Sequence, residues 1–264
     1  MLTAGQIEQA AQHLVTARKT KTPCALIPEA CRPQNREDAL AVQQKVAEIL
    51  AVPIGGWKCG VPKENGPLVF SFILAPAILR SSPFPVPTTK ESRIGKIEPE
   101  IAFVVARDLP PRLTPYSEDE IRASIGKAHM VLELLGTRYA DPFAAGPIDL
   151  LADCYNNVGL LIGPEIPNVF ELALESLPVK VTSGTQTFYD KTSPHPSGHP
   201  MKAYSWLVHF LNQRGLGLTA GDIVTTGSYA GVVETPIGVP LQVELAGIGT
   251  MAAELVADAV TGVA

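Results

Sequence analysis

The stretch Ile97–Arg107, IEPEIAFVVAR, constrains this chain more than any other, because it sets two glutamates at alternate positions directly before an apolar, β-branched run. Pro99 disfavours the helical region for Glu98, so that residue is extended, and in an extended chain side chains two apart share a face. Glu98 and Glu100 therefore aim together at the start of a greasy strand. Carboxylates that converge in this way repel unless a proton or a cation lies between them. A hard divalent metal satisfies the pair, and so does a solvated strand end; the stretch alone leaves both readings open.

The rest of the chain is punctuated for short elements, with 24 prolines and 22 glycines in 264 residues, which favours β structure over long helices. A chain of this length buries a sizeable core as one main domain with an N-terminal attachment. Ile7, Ala10, Ala11, Leu14 and Val15 recur at helical spacing from Thr3 or Ala4 to Arg18-Lys19. The segment Asn35–Leu50 repeats the pattern with Ala39, Val42, Val46 and Leu50. We therefore expect a helical cap over 1–52 and a β-rich body over 53–264.

Further along, GGWKCG (Gly55 to Gly60) reads as a tight strand and turn in which glycine lets backbone approach a ligand closely. Lys58 is either an ordinary exposed lysine there or a cation held in a site. Leu68–Leu79 reads as a partly buried segment, followed by an extended connector through Pro83, Pro85 and Pro87; together they suit a lid or binding wall. Ser117-Glu118-Asp119-Glu120 is a capping box opening a helix to about Gly126. In the apolar run Ala128–Leu135, Glu133 is the anomaly, either a metal ligand or a residue facing solvent. His129 and Glu133 share a face on a helix, but positions 129, 131 and 133 also align on a strand, which is the preferred reading.

Beyond Pro147 the chain reads as strands and turns: Val158–Ile162, Val179–Thr182, Thr185–Tyr189, Gly221–Ser228 and Val239–Leu245, with a helix over Tyr204–Leu211. The Pro/His loop Thr192–Pro200 places two histidines four apart with no helix to hold them, which does not suggest a metal site. A net charge of -5 and a pI near 5.6 argue against nucleic acid or anionic membrane as the main partner. Cys24, Cys31, Cys59 and Cys154 form no paired cluster, so they read as reduced thiols. The N-terminus lacks the apolar core of a signal peptide, and no run of apolar residues is long enough to span a bilayer. The expected setting is cytoplasmic. The expected partners are a small-molecule ligand and further copies of the chain in a homo-oligomer.

GGWKCG, IEPEIAFVV, VLELLGTRYAD, ADCYNNVGLLIG, HPMKAYSWL and GDIVTTGS, in this order and spacing, resemble the metal-dependent 2-hydroxydienoate hydratases and 2-oxo acid decarboxylases of aromatic catabolism, within the fumarylacetoacetate hydrolase superfamily. The resemblance implies an α+β fold with a mixed β-roll or barrel core and an N-terminal helical cap. It implies Mg2+ or Mn2+ held by Glu98, Glu100 and Glu133, an active-site Lys58, and a 2-oxo acid substrate. It further implies that Thr226, Gly227 and Ser228 lie beside the substrate carboxylate, and that the turn from Asp153 to Asn157 lines the pocket. The activity implied is a hydro-lyase acting on a 2-hydroxy-2,4-dienoate or its 2-oxo tautomer. A decarboxylase, a C–C hydrolase and a non-enzymatic ligand-binding member are the alternatives. The C–C hydrolases of the superfamily use a histidine ahead of the Glu-x-Glu, and no histidine lies between Trp57 and Glu98. One departure stands out: family hydratases carry an acid where this chain has Ala75-Pro76, so Glu64 is the expected substitute, or hydration is slower than proton exchange at C3 or C5.

Overall fold

The computed structural model describes residues 1–86 and 93–257, so Pro87 of the expected connector lies outside the described residues. Helix α1 (Ala4–Thr20) starts at a capping box between Thr3 and Gln6, and α2 (Arg36–Leu50) starts where Asn35 accepts from the Asp38 N–H. Their stripes of Ala10, Ala11, Leu14 and Val15 on α1 and Ala39, Val42 and Val46 on α2 have no exposed surface, and the two helices pack against each other. The chain continues through β1 (Ile54–Cys59), β2 (Phe70–Leu74), β3 (Ile78–Leu79), β4 (Phe84–Val86), β5 (Ile94–Val105), α3 (Glu118–Ala123), β6 (Ile125–Leu135), α4 (Pro147–Ala152), β7 (Asn157–Glu165), β8 (Ser176–Ser183) and β9 (Gln186–Pro194). It ends through α5 (Pro200–Gln213), β10 (Ile223–Thr225), β11 (Val233–Pro236), β12 (Pro240–Leu245) and β13 (Gly249–Ala257).

These strands form the mixed, α+β architecture expected from the sequence. One sheet runs β2-β1-β10-β5-β6-β7-β3, with β11 also on β5; the other runs β4-β13-β12-β8-β9. In the first, β1 and β10 are parallel while β10, β5, β6 and β7 alternate antiparallel. Strand β2 also touches β7, so the sheet curls into a nearly closed barrel.

Register decides what the barrel encloses. Gly56 pairs with Ile223 and Ile73, Ile223 with Val104, and Val131 with Ile162, so one end of the interior is an apolar plug of Ile73, Ala102, Val131, Leu160, Ile162 and Ile223. Gly56 is required there, because a Cβ would stand 2.3 Å from the Ile223 carbonyl oxygen. One step along the same face, Lys58 pairs with Thr225 and Ser71, and Glu98 with Glu133. The barrel is thus greasy at one end and charged at the other.

Four of the boundaries that differ from the sequence reading have a local physical cause. The helix after Ser117 stops at Ala123, short of Gly126, because Ile125 already pairs with Val105 and begins β6. The expected strand Gly221–Ser228 shrinks to Ile223–Thr225, since Gly227 turns to φ 109 where a Cβ would strike Pro196. The segment Leu68–Leu79 breaks at a 3-10 turn over Ala75–Ala77, where Pro76 interrupts the strand. Helix α5 begins four residues before Tyr204, with His199 as its N-cap and Pro200 in the first turn.

In that loop His195 is 2% exposed; its Nδ1 accepts the Ser197 N–H, and its Nε2 has no partner among the described residues. Burial, reinforced by His199, pushes its pKa down to about 4 from the usual 6.5. The unfolded chain therefore takes up a proton below about pH 6.5 that the folded chain refuses until about pH 4. Stability present above pH 6.5 is lost as the pH falls through this window, by up to about 3 kcal/mol. Denaturant melts of wild type and His195→Phe at pH 7 and pH 5 check this. The gap between the two proteins must shift in favour of the variant on acidification, and an unchanged gap would remove His195 from the account.

Candidate metal centre and its lysine

The alternation that aims Glu98 and Glu100 together also aims them at β6. Glu98 lies directly opposite Glu133 in the β5–β6 pair, and one oxygen from each of the three glutamates lies within 4.8 Å of the others. Glu133 is fully buried, Glu100 is 1% exposed, and Glu98 stands partly open at the mouth. Glu100 accepts the Thr225 hydroxyl and, at 2.8 Å, the Gly227 N–H. The Oε1 of Glu133 accepts Asn157 Nδ2 at 2.9 Å and Lys58 Nζ at 2.7 Å, whereas its Oε2 is buried with no partner among the described residues.

Lys58 reaches this cluster from β1. Its Nζ lies 3.7 Å from Glu98 Oε2 and donates to the Tyr155 carbonyl at 3.4 Å. Burial alone would lower its pKa, but the carboxylates of Glu133 and Glu98 outweigh that and hold it above the usual lysine range. Lys58 is therefore a cation at neutral pH. The acids respond oppositely: burial, with Glu133 and Glu98 adding like charge, pushes Glu100 up to about 8, and burial raises Glu133 against the pull of Lys58. Three carboxylates and one ammonium leave two negative charges uncompensated when all are ionised, which is the charge a divalent cation neutralises. An oxygen-only donor set with an orphaned buried carboxylate oxygen fits Mg2+ or Mn2+.

The wall facing Lys58 is a turn with an unusual backbone. Cys154, Tyr155 and Asn156 sit at φ 57, 49 and 62, three successive non-glycine residues in the left-handed region. Arg138 holds them there. Its Nε donates to Asp153 Oδ1 at 2.5 Å, its Nη1 to the Asn157 carbonyl at 2.9 Å and its Nη2 to the Asp153 carbonyl, while the Arg138 N–H meets Asp153 Oδ2. The turn then presents the Tyr155 carbonyl to Lys58 and Asn157 to Glu133. Arg138→Met should cost about 3–5 kcal/mol, because it leaves the fully buried Asp153 carboxylate with only the backbone N–H of residue 138 and the Arg18 guanidinium at 3.4 Å, and releases the strained turn. A chemical denaturation curve displaced by less than about 1 kcal/mol would show that the turn holds itself.

The structure thus brings Glu98, Glu100, Glu133, Lys58 and Asn157 into one cluster, with the Gly227 N–H at its edge. The Thr226 hydroxyl donates to the Ile101 carbonyl, and that of Ser228 to the carbonyls of Pro99 and Gly231. Asp153 is engaged by Arg138 and, at 3.4 Å, by Arg18. Glu64, the expected substitute acid, is exposed on a turn. Sequence reasoning missed Thr225, the Tyr155 carbonyl and the role of Arg138; the arginine in VLELLGTRYAD was the one available signal.

Comparison with known proteins agrees with this fold. No family model matches the chain. The fold is shared with 4-oxalocrotonate decarboxylase from Pseudomonas putida G7, complexed with magnesium and adipate, which superposes with a TM-score of 0.79 at 20% identity, covering 97% of this chain and 99% of that one. Fumarylpyruvate hydrolase from Pseudomonas aeruginosa, in complex with Mn2+ and pyruvate, gives a TM-score of 0.53 at 14% identity over 78% of this chain and 91% of that one. The chain is also similar in sequence to the 2-keto-4-pentenoate hydratase of Paraburkholderia xenovorans (strain LB400), at 24% identity over the whole of both chains. Among the described residues no helix is long and apolar enough to cross a membrane.

Proposed function

We propose that this protein is a Mg2+- or Mn2+-dependent hydro-lyase acting on a 2-hydroxy-2,4-dienoate or its 2-oxo-enoate tautomer in aromatic catabolism. The observation that carries the reading is the convergence of Glu98, Glu100 and Glu133 with Lys58 at the charged end of the barrel, in a chain related over its full length to a 2-keto-4-pentenoate hydratase. Glu98, Glu100 and Glu133 would hold the cation. When bound, a divalent cation supplies Lewis-acid stabilisation of negative charge on the oxygens of a 2-oxo carboxylate.

The chain's own residues do the rest. Lys58, kept protonated by its carboxylate neighbours, is a proton donor or a fixed positive charge beside the reacting carbons, not a neutral base. Asn157 and the Tyr155 carbonyl fix the positions of Glu133 and Lys58. The Gly227 N–H and the Thr225 hydroxyl orient Glu100. The apolar plug of Ile73, Ile223 and Leu160 closes the barrel behind the site and keeps water out from that side. Thr226, Gly227, Ser228, Asp153 and Asn157 complete the proposed pocket, with Thr226, Ser228 and Asp153 acting through the backbone they brace.

Decarboxylation of a 2-oxo acid is the second reading. It is favoured by the absence of an acid at Ala75-Pro76, where the 3-10 turn leaves Pro76 exposed and without a titratable group. Incubating the protein with Mg2+ and 2-oxopent-4-enoate in D2O, with 1H NMR following both C3 or C5 exchange and 4-hydroxy product, tests the first reading. Failure of both signals sinks it, whereas exchange without hydration leaves only the enolate chemistry. The same reading places the protein in the cytoplasm as a homo-oligomer, consistent with its four free thiols, and light scattering measures the assembly.

A further inference from the structure

Ser71 has no exposed surface, and its hydroxyl has no hydrogen-bond partner among the described residues. A buried hydroxyl left unpaired is costly, so a site that keeps one has a use for it. Its direction follows from register. Ser71 lies directly opposite Lys58 in the antiparallel β1–β2 pair, and residues so paired point to the same face with Cβ atoms about 5 Å apart. Lys58 points into the barrel toward Glu133, so Ser71 does too. Its neighbours agree: Ile73, two residues on, belongs to the inner plug, while Phe70 points the other way and stacks on Trp57 at 5.6 Å. Ser71 therefore occupies the inner wall at the level of Lys58, one step along the same face from the plug residue Ile73.

This position answers the vacancy left by Ala75-Pro76. Glu64 is exposed, and Lys58 is a cation already engaged by Glu133, so neither holds a water at the wall. We propose that Ser71 is a ligand-contacting residue of the site, its hydroxyl holding the oxygen that water contributes at C4 of the 2-oxo-enoate. The inference rests on the hydro-lyase reading given above. In 2-oxopent-4-enoate a C3 proton first moves to C5, which shifts the double bond to C3–C4. The water oxygen then bonds to C4, the water loses one proton to the site and C3 takes one, so that over the whole reaction C4 gains the hydroxyl and C5 the hydrogen. No oxidant or reductant is needed. Ser71 contributes a hydrogen bond and is unchanged at the end.

The test uses Mg2+-loaded protein and two ligands that differ only in the oxygen concerned, 4-hydroxy-2-oxopentanoate and 2-oxopentanoate. Wild type should bind the hydroxy compound about tenfold more tightly, the scale of one hydrogen bond. Ser71→Ala should lose that preference, bind 2-oxopentanoate within about twofold of wild type, and hydrate 2-oxopent-4-enoate at least about tenfold more slowly. Because the hydroxyl is unpaired, the variant should melt no lower than wild type. Ser71→Thr, which keeps the hydroxyl, should keep the preference.

A preference that survives Ser71→Ala, or is missing from wild type, overturns the assignment. A variant that melts lower or fails to fold also overturns it, since the hydroxyl would then have a structural partner. If wild type neither hydrates nor exchanges 2-oxopent-4-enoate, yet shows a preference that Ser71→Ala removes, the hydro-lyase reading falls and the Ser71 contact stands.

Discussion

Glu100→Gln should abolish binding of Mg2+ and Mn2+ and reduce metal-dependent turnover by more than about a thousandfold, while leaving the metal-free protein at least as stable as wild type. The two halves of this expectation have one cause. Glu100 is buried, lies against Glu133 and Glu98, and has its pKa pushed up to about 8, so near neutral pH the metal-free protein holds it mainly protonated. A neutral glutamine of the same shape replaces the protonated acid without loss, and it cannot become the carboxylate that the cation needs. A group whose folded pKa is raised contributes stability fully below its unfolded value, here about 4.5, and loses it as the pH rises through about 8. Metal-free wild type should therefore lose stability from pH 5 to pH 8 relative to Glu100→Gln, whose difference in melting temperature over wild type should grow across that window. For the same reason metal binding below about pH 8 should release a proton, which calorimetry in two buffers of different ionisation enthalpy detects. A variant that still binds Mg2+ would show that Glu98 and Glu133 suffice.

The part of this site that could be read from the sequence was local in origin. Glu98 and Glu100 declared their common direction because Pro99 forces extension and a strand has a period of two, and both facts lie within three residues. Glu133 declared itself by standing charged in an apolar run. What no local pattern contains is the register that sets Glu133 opposite Glu98, since a slip of one residue would turn it to the other face of the sheet. The turn at Cys154-Tyr155-Asn156 was illegible for the opposite reason. Its left-handed backbone carries no glycine to announce it, and it depends on Arg138, sixteen residues before Cys154, for its hydrogen bonds. Ser71 was hidden inside Phe70–Leu74, which reads as an ordinary buried strand until β1 is laid beside it.

Lys58→Met should lower turnover by at least about a hundredfold without weakening metal binding, because the ammonium and a divalent cation compete for the same carboxylates. In the metal-free protein Lys58 is the only cation within ion-pair distance of Glu133 among the described residues, and its loss leaves a fully buried carboxylate with Asn157 alone. Removing one partner of such a pair costs about 3–5 kcal/mol, so the metal-free variant should melt well below wild type. Added Mg2+ restores the missing positive charge, so the rise in melting temperature on loading should be larger for Lys58→Met than for wild type. The loaded variant should then be folded and yet slow, which separates the lysine's chemical part from its structural one. Lys58→Arg keeps a cation but brings a wider, planar group into a site that holds the ammonium at 2.7 Å from Glu133, so it should rescue stability more than rate. Turnover within about tenfold of wild type in the Mg2+-loaded Lys58→Met protein would mean that the lysine only neutralises the acids, and that the proton reaching the substrate carbon comes from elsewhere.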